Sequence, residues 1–427
     1  MSSRITSNIL TSNYLRNMKR NLNNMKTLQN QLASGKTIQK ASDNPYTASR
    51  SMQLNTEMSY NKQYNENIKD TSNWLDTTDT ALSQMGNVFG RIETLLVSAG
   101  NGSYGQDERT SIQDEVKSKV NELSQVLNTS FDGSYIFGGT KTDSKPTTVV
   151  NGVLEYADKS GSGIGNSSNI YKSIADGTTI TDSATTANAV YTLTAADTIA
   201  LTAEASNAAT TPARVIECNA LLATPPATAY QLKAGAPITT SSTTANTAYT
   251  LNSADITALQ TELTTASASR VTEINNIFTK TQINSDLKVD ISGGVKTDYN
   301  KTSVDVLEFT DKSGKSINVS ELLKNIITDL GSGGTTSNLT TTHLKDIQSV
   351  TANLLQKRSE VGTMQNRMDS AQQNNETQNY NMTDILSKTE DIDFAETTMN
   401  YSTMQTVYTA SLQTSAKILP MSILTYL

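Results

Sequence analysis

The sequence predicts an α+β protein: an elongated helical coiled-coil rod made from both termini, with an inserted β-rich outer region. Three observations predict it. Apolar residues at alternating 3 and 4 spacing occupy both ends of the chain and are missing from the middle. Asp-Gly and Gly-Gly turn signals close the first helical block near residue 140. Thr and Ala make up about half of residues 178–270, where charges are sparse. Over the whole 427 residues only 36% are hydrophobic, 5% aromatic and 18% charged. Such a chain has little core per residue, which favours long helices and small modules over one large globule. The expected division is terminal helices at 1–40 and 390–427, a long-helix rod at 41–142 and 311–389, and an insertion at 143–310.

The first helix is expected over 5–33, with Leu15, Met18, Leu22, Met25 and Leu32 on one stripe. Gly35 ends it. Asp43 or Asn44 then caps a second helix that Pro45 opens, running to about 98. Its second half holds the best periodicity in the chain: Ile68, Thr71, Leu75, Thr78, Leu82, Met85, Phe89, Ile92 and Leu96. This is read as rod core. A third helix follows over about 107–129 with Val116, Val120, Leu123 and Leu127 on one face. Residues 130–140 read as a hairpin.

The insertion contains a duplication. Residues 180–193 recur as 238–251 at an offset of 58, and Leu201 and Glu204 recur as Leu259 and Glu262. The units are set at 172–229 and 230–275, each with a half-buried strand around Tyr191 or Tyr249 and one Ala-rich helix. Two copies suggest a duplicated module and not a solenoid. Helical spacing returns at about 343, where Leu354, Val361 and Met368 continue the rod core. A last helix is expected over 391–417, with Tyr401, Met404, Tyr408 and Ile418 on its stripe, stopped by Pro420. The tail to Leu427 includes Leu424. The terminal stripes carry Ser and Thr among few large apolar residues. They bury too little to offset ordering entropy in a lone chain, so both ends are expected to be largely disordered there and to order on self-association.

Scarce residues exclude several chemistries. One cysteine, Cys218, allows no disulfide within the chain, and with one histidine, His343, no Cys/His zinc cluster can form. His343 is expected to be an ordinary exposed or helix-start residue. Gly138-Gly139-Thr140-Lys141 lacks phosphate-loop spacing. The net charge of -7 and pI near 5.0 argue against nucleic-acid binding. No apolar run reaches the roughly 18 residues of a membrane span. The start, MSSRITSNIL, lacks the apolar core of a signal peptide, so the chain is expected to be either cytoplasmic or exported by a route that needs no cleaved leader. No catalytic, metal or cofactor site is expected, and no cofactor.

Four segments, in order, carry a family resemblance. They are Leu28–Lys36 with Ala41–Pro45, Leu75–Leu82, Phe131–Asp143, and Asp393 to Leu427. On these the chain resembles the flagellin superfamily, and within it the hook–filament junction proteins. The Gly133–Asp143 turn and the Ile423–Leu427 ending are what favour the junction branch. The resemblance implies terminal helices lining a central channel, a second shell of longer helices, and an outward insertion. It implies an extracellular structural role in motility, type III export in unfolded form, and partners that include copies of itself in a ring, the first hook-associated protein, flagellin or the filament, and an export chaperone. The alternatives are a filament or minor flagellin, and an adhesin-like surface module on a flagellin scaffold. The 143–310 insertion has no counterpart in the resemblance. It contains no histidine, which excludes an H-E-x-x-H protease there.

Overall fold

The computed structural model describes residues 7–423 apart from 101–103, 175–177, 208, 224–226, 232–235, 237, 240, 332–333 and 335–336, with side-chain burial from 12 to 414. The helical N-terminal block comprises α1 (Ser7–Ser34), α2 (Pro45–Ala99) and α3 (Gln106–Leu127). Two short hairpins follow: β1 (Ser130–Phe131) with β2 (Ser134–Tyr135), and β3 (Thr147–Val150) with β4 (Val153–Tyr156). The first repeat holds β5 (Ile170–Lys172), β6 (Ile180–Thr181), β7 (Thr185–Ala187), β8 (Ala189–Tyr191), α4 (Ala195–Ala205) and α5 (Pro212–Leu222). The second holds β9 (Ala229–Gln231), β10 (Ile238–Thr239), β11 (Thr243–Ala245), β12 (Thr247–Tyr249), α6 (Ser253–Glu262) and α7 (Ala268–Ile283). The return path runs through the hairpin β13 (Lys288–Ser292) and β14 (Val295–Asp298), α8 (Ser303–Leu307), β15 (Glu308–Thr310), β16 (Ser316–Asn318) and α9 (Val319–Leu330). A π-helical turn (Leu339–His343) leads into α10 (Leu344–Glu390), and α11 (Phe394–Ile423) ends the chain.

The chain falls into two compact units: 1–69 with 290–296 and 367–427, and 70–289 with 297–366. These units differ from the three-part division expected from composition, because α2 and α10 each contribute residues to both.

In the larger unit the α2 seam is dry. Leu75, Leu82, Met85, Phe89, Ile92 and Leu96 are all buried, as are Val116, Val120, Leu123 and Leu127 of α3 and Leu354 and Val361 of α10. Polar contacts flank this core. Arg358 of α10 donates to both carboxylate oxygens of Asp79 on α2, at 2.9 and 3.0 Å, and Arg91 of α2 pairs with Glu115 of α3 at 2.7 Å. Trp74 meets Phe131 and Tyr299 edge-on, with ring centroids 6.3 and 5.7 Å apart. The Asp132-Gly133 turn has φ of 49° and 78°, as a tight hairpin requires. Gly139, at φ 61°, sits so close to the Gln282 carbonyl that a methyl group there would lie 2.2 Å from that oxygen.

Three elements depart from the sequence reading. First, α9 is absent from it, yet Val319, Leu322, Leu323, Ile326 and Leu330 are buried at ordinary helical spacing, and the Asn318 side chain caps the helix by accepting from the Glu321 amide at 3.0 Å. Second, α11 passes through Pro420 to Ile423. Proline removes one donor and crowds one carbonyl, so it bends a helix more readily than it ends one. Third, each repeat holds two helices where one was expected. The second helix of each pair opens at Pro212 or behind the Ser267 cap.

The repeats also exchange partners. The sheet β10-β9-β8 and the sheet β12-β5-β6 each combine strands of both repeats. One core is built from Ile170, just ahead of the first repeat, and Ile180 within it, with Leu259, Ile274 and Ile277 of the second. The other takes Leu201, Cys218, Leu221 and Ala229 from the first repeat and Ile238 from the second. The units 172–229 and 230–275 therefore describe the sequence duplication but not the folded modules.

The lone histidine is also corrected in part. His343 closes the π-helical turn ahead of α10 and is buried, with Nε2 2.9 Å from the Asp329 carboxylate. Cys218 is buried in α5.

Candidate subunit interface

The smaller unit contains both chain ends. α1 and α11 pack against each other and run antiparallel, as three hydrogen bonds fix. Near one end the Tyr14 hydroxyl donates to the Ser411 carbonyl. At the other, the Thr37 amide donates to the Glu390 carbonyl at 2.6 Å and the Ile392 amide to the Gly35 carbonyl at 3.1 Å. Gly35, at φ 72°, lets α1 stop in the left-handed region and present that carbonyl.

Lys36 closes this junction. Its ammonium lies 2.7 Å from Asp391 and 3.0 Å from Glu390. The Asp391 hydrogen bond, then that of Glu390, raises the lysine pKa; Lys36 and Ser387 lower that of Asp391. The sign follows from both. A depressed carboxylate contributes stability above its unfolded value, about 3.9, and loses it as pH falls through the folded one. A raised lysine contributes below its unfolded value and loses that contribution as pH rises through its folded one. The clasp is therefore complete from about pH 5 to about pH 10. Acidification below about pH 4 should lower the hydrogen-exchange protection of the Thr37 and Ile392 amides, measured against their intrinsic rates at each pH, while Lys36→Met should flatten that acid dependence. Equal acid dependence in the two proteins would remove the clasp from the explanation. Both partners are well exposed, so the effect on global stability is small.

The α1 side chains divide into two stripes. Tyr14, Met18, Asn21, Met25, Leu28 and Leu32 are half-buried, and so are Tyr401, Met404, Tyr408 and Ser411 of α11. Leu15 and Leu22 face away, 48% and 43% exposed. The expected stripe thus splits: Met18, Met25 and Leu32 lie in the intrachain seam, whereas Leu15 and Leu22 lie outside it. Sequence reasoning missed Tyr14 and Leu28. Their 4-3-4-3-4 spacing was visible, but Asn21 sits in its centre and hid it. Tyr401, Met404 and Tyr408 all join the seam. Ile418, Leu424 and Leu427 lie outside the residues whose side chains are described. Of α11, Phe394, Met399, Val407 and Leu412 are also exposed.

The ends are helical, which differs from the disorder expected of a lone chain. Their docking is shallow. No residue of 12–34 is fully buried, and on α11 up to residue 414 only Thr397 is. All ten expected rod-core residues are buried. Ile68 and Met368 lie in the smaller unit, and Leu75, Leu82, Met85, Phe89, Ile92, Leu96, Leu354 and Val361 in the larger. Ile291, on the hairpin of the smaller unit, is buried as well. Its carbonyl accepts from the Asn375 side chain at 2.9 Å, and that of Asp290 from Asn67 at 3.0 Å.

Among the described residues, no group of three or more His, Cys, Asp or Glu side chains is placed to hold a metal ion, and no helix is long and apolar enough to cross a membrane. What the geometry offers is a pair of long helices with a shallow seam between them and with Leu15 and Leu22 uncovered beside it.

The comparisons fall on these same helices. Residues 5–142 match the bacterial flagellin N-terminal helical region, and residues 344–427 match the bacterial flagellin C-terminal helical region. The chain belongs to the flagellin superfamily. The two matches flank the duplicated insertion and together take in just over half the chain. This flagellin-superfamily chain is 29% identical over 138 residues to a flagellin of Clostridium tyrobutyricum, covering 32% of this chain and 37% of that one. It is 28% identical over 134 residues to flagellar hook-associated protein 3 of Salmonella typhimurium, covering 31% and 42%. It thus spans about two fifths of the length of the curated relatives it matches. Among solved structures, flagellar hook associated protein-3 from Legionella pneumophila aligns over 79% of this chain and 98% of that one, at 14% identity and a TM-score of 0.40.

Proposed function

We propose that the protein is a structural, non-enzymatic subunit of the bacterial flagellum, a junction protein linking the hook, through the first hook-associated protein, to the filament. The observation that carries this reading is the uncovered apolar stripe beside a shallow intrachain seam. A helix pair that leaves Leu15, Leu22, Met399, Val407 and Leu412 in water has surface to bury against neighbours. In this reading the α1–α11 pairs of successive copies pack into a ring around a channel. Residues 41–142 and 311–389 form the surrounding rod, and 143–310 is carried outside. Leu15, Leu22, Ile418, Leu424 and Leu427 serve packing between subunits, while Met18, Met25, Leu32, Tyr401, Met404 and Tyr408 serve the pair itself.

The shallow docking of the ends suits export in an unfolded state through the flagellar type III apparatus with the help of a chaperone, followed by extracellular folding in place. A chain with a single cysteine has no internal disulfide to reduce on that route. The second reading is a filament or minor flagellin, and it rests on the matched flagellins, which are as similar as the hook-associated protein. Gold-labelled antibody on isolated flagella separates the two. Label confined to the hook–filament boundary is expected; label along the filament selects flagellin.

A further inference from the structure

The strand pair β7–β11 joins the two repeats with internal two-fold symmetry. Its register pairs Thr243 with Ala187, Thr244 with Thr186, and Ala245 with Thr185. Thr186 and Thr244 are equivalent residues of the duplication, so the axis passes between two copies of the same residue. The flanking bonds obey the same axis. The Asn188 amide donates to the Ser242 carbonyl at 2.8 Å, and the equivalent Asn246 amide to the Ala184 carbonyl at 2.9 Å. The Asn188 side chain donates to the Ser241 carbonyl, and the Asn246 side chain to the Ser183 carbonyl, both at 3.0 Å. Thr186 donates to Asn246 at 2.6 Å and Thr244 to Asn188 at 2.9 Å. Each of these six bonds has its mate.

On either side of this seam lies a complete module. One is contiguous: β8, α4, α5, β9 and β10 enclose the core of Leu201, Cys218, Leu221, Ala229 and Ile238. The other consists of β5, β6, β12, α6 and α7, and its core takes no residue from 182–239. Each is locked by one arginine. Arg214 donates to Glu204 at 2.8 and 3.0 Å, to Glu217 at 2.6 Å and to the Ile238 carbonyl at 2.7 Å. Arg270 donates to Glu262 at 2.7 and 3.2 Å, to Glu273 at 2.7 Å and to the Ile180 carbonyl at 2.8 Å. In both, the locked carbonyl belongs to the other repeat of the sequence but to the same module of the fold.

We propose that this seam is an isologous interface folded into one chain. Each module carries a self-complementary strand edge, 183–188 or 241–246, and its occupant is a second copy of the same module. The two halves of an isologous contact are one surface met by itself. Here the axis, the register and all six flanking bonds meet that condition. An unpaired strand edge of this kind templates pairing.

The test removes one half of the seam from the full chain. Deleting 185–239 takes out one module and leaves six residues, 182–184 and 240–242, to join β6 to β11. Six residues reach about 20 Å when extended, so the remaining module closes on its own core with β11 unpaired. The deletion also removes Cys218, so Thr244→Cys becomes the only cysteine. The expected result is a doubling of mass by light scattering and an oxidative cross-link between two chains at residue 244. Thr257→Cys, on the exposed face of α6, should give no cross-link in the same background, and neither should the intact chain carrying Thr244→Cys with Cys218→Ser. A folded deletion variant that stays monomeric and uncross-linked overturns the proposal.

Should the deletion variant fail to fold, hydrogen exchange on the intact chain decides. Thr186→Asp with Thr244→Asp sets two carboxylates across the axis. Loss of protection confined to 183–188 and 241–246 supports two modules meeting at a seam. Loss spreading through α4, α5, α6 and α7 together overturns it.

Discussion

Phe89→Ala should destabilise the larger unit by about 3–5 kcal/mol, read as a fall in the urea midpoint of the isolated chain with its slope unchanged. The ring is fully buried at 0% exposure, midway along the α2 seam, with Met85 and Ile92 before and after it on the stripe and both equally dry. Truncation removes the transfer free energy of a benzyl group and leaves a void that rigid helices on both sides close poorly. Val97 supplies the comparison. It lies on the same helix and is 56% exposed, so Val97→Ala should stay within about 0.5 kcal/mol. Two equal losses would mean that the 3-4 spacing does not mark the buried face.

The second large effect is on assembly and leaves the fold alone. Leu15→Gln with Leu22→Gln should leave the helical circular dichroism and thermal midpoint of the monomer almost unchanged and abolish incorporation into the flagellum. Glutamine keeps helix propensity close to that of leucine, and neither leucine belongs to the intrachain seam. Burying a leucine fully contributes about 1.5–3 kcal/mol. Nearly half of each side chain is uncovered, so each has about 1 kcal/mol left to give to a neighbour. That amount is minor in one chain, but in a closed ring every subunit loses it. A variant that melts early would place these leucines in the intrachain core. A variant that assembles normally would remove them from the subunit contact. Met18→Gln with Met25→Gln should behave oppositely and loosen the helix pair itself.

The two predictions differ because the two helical blocks differ in how much of their apolar surface the single chain covers. The α2 stripe is dry, as are the Val and Leu stripe of α3 and Leu354 and Val361 of α10. The α1 stripe meets an α11 face of Tyr, Met, Tyr and Ser, and every residue of that seam keeps some solvent contact. Shallow burial of this kind favours local opening of the terminal pair. The Lys36 clasp fixes only the end of the pair nearest the chain turns.

Helix existence and rod core were legible in the sequence. Ile68 to Leu96 form an uninterrupted 3-4 series, and a series that long has only one burial solution on a straight helix. The rest was not legible, for definite reasons. On α1 two apolar series are interleaved, one through Leu15 and Leu22 and another through Tyr14, Met18 and Met25. Spacing alone cannot say which one the partner helix covers. The α9 helix carries its own local signals, with Val319, Leu322, Leu323, Ile326 and Leu330 at helical spacing behind the Asn318 cap, although the sequence reading holds no helix there. The insertion was the least legible part. Its duplication is plain at the level of residues, but the period says nothing about which copy's hairpin pairs with which copy's helices.

What the sequence by itself determined is therefore the long helices of the rod, which face of α2 is dry, where the ends turn, and that the middle is written twice. The tertiary structure alone decided the rest. It paired α1 with α11 through one of two available stripes, leaving the other in water, and it crossed the repeats so that each core draws on both. The physical reason is one of range. Helical period and caps are set by neighbours within about one turn of helix. The choice of partner depends on total burial across hundreds of residues, which local spacing does not record.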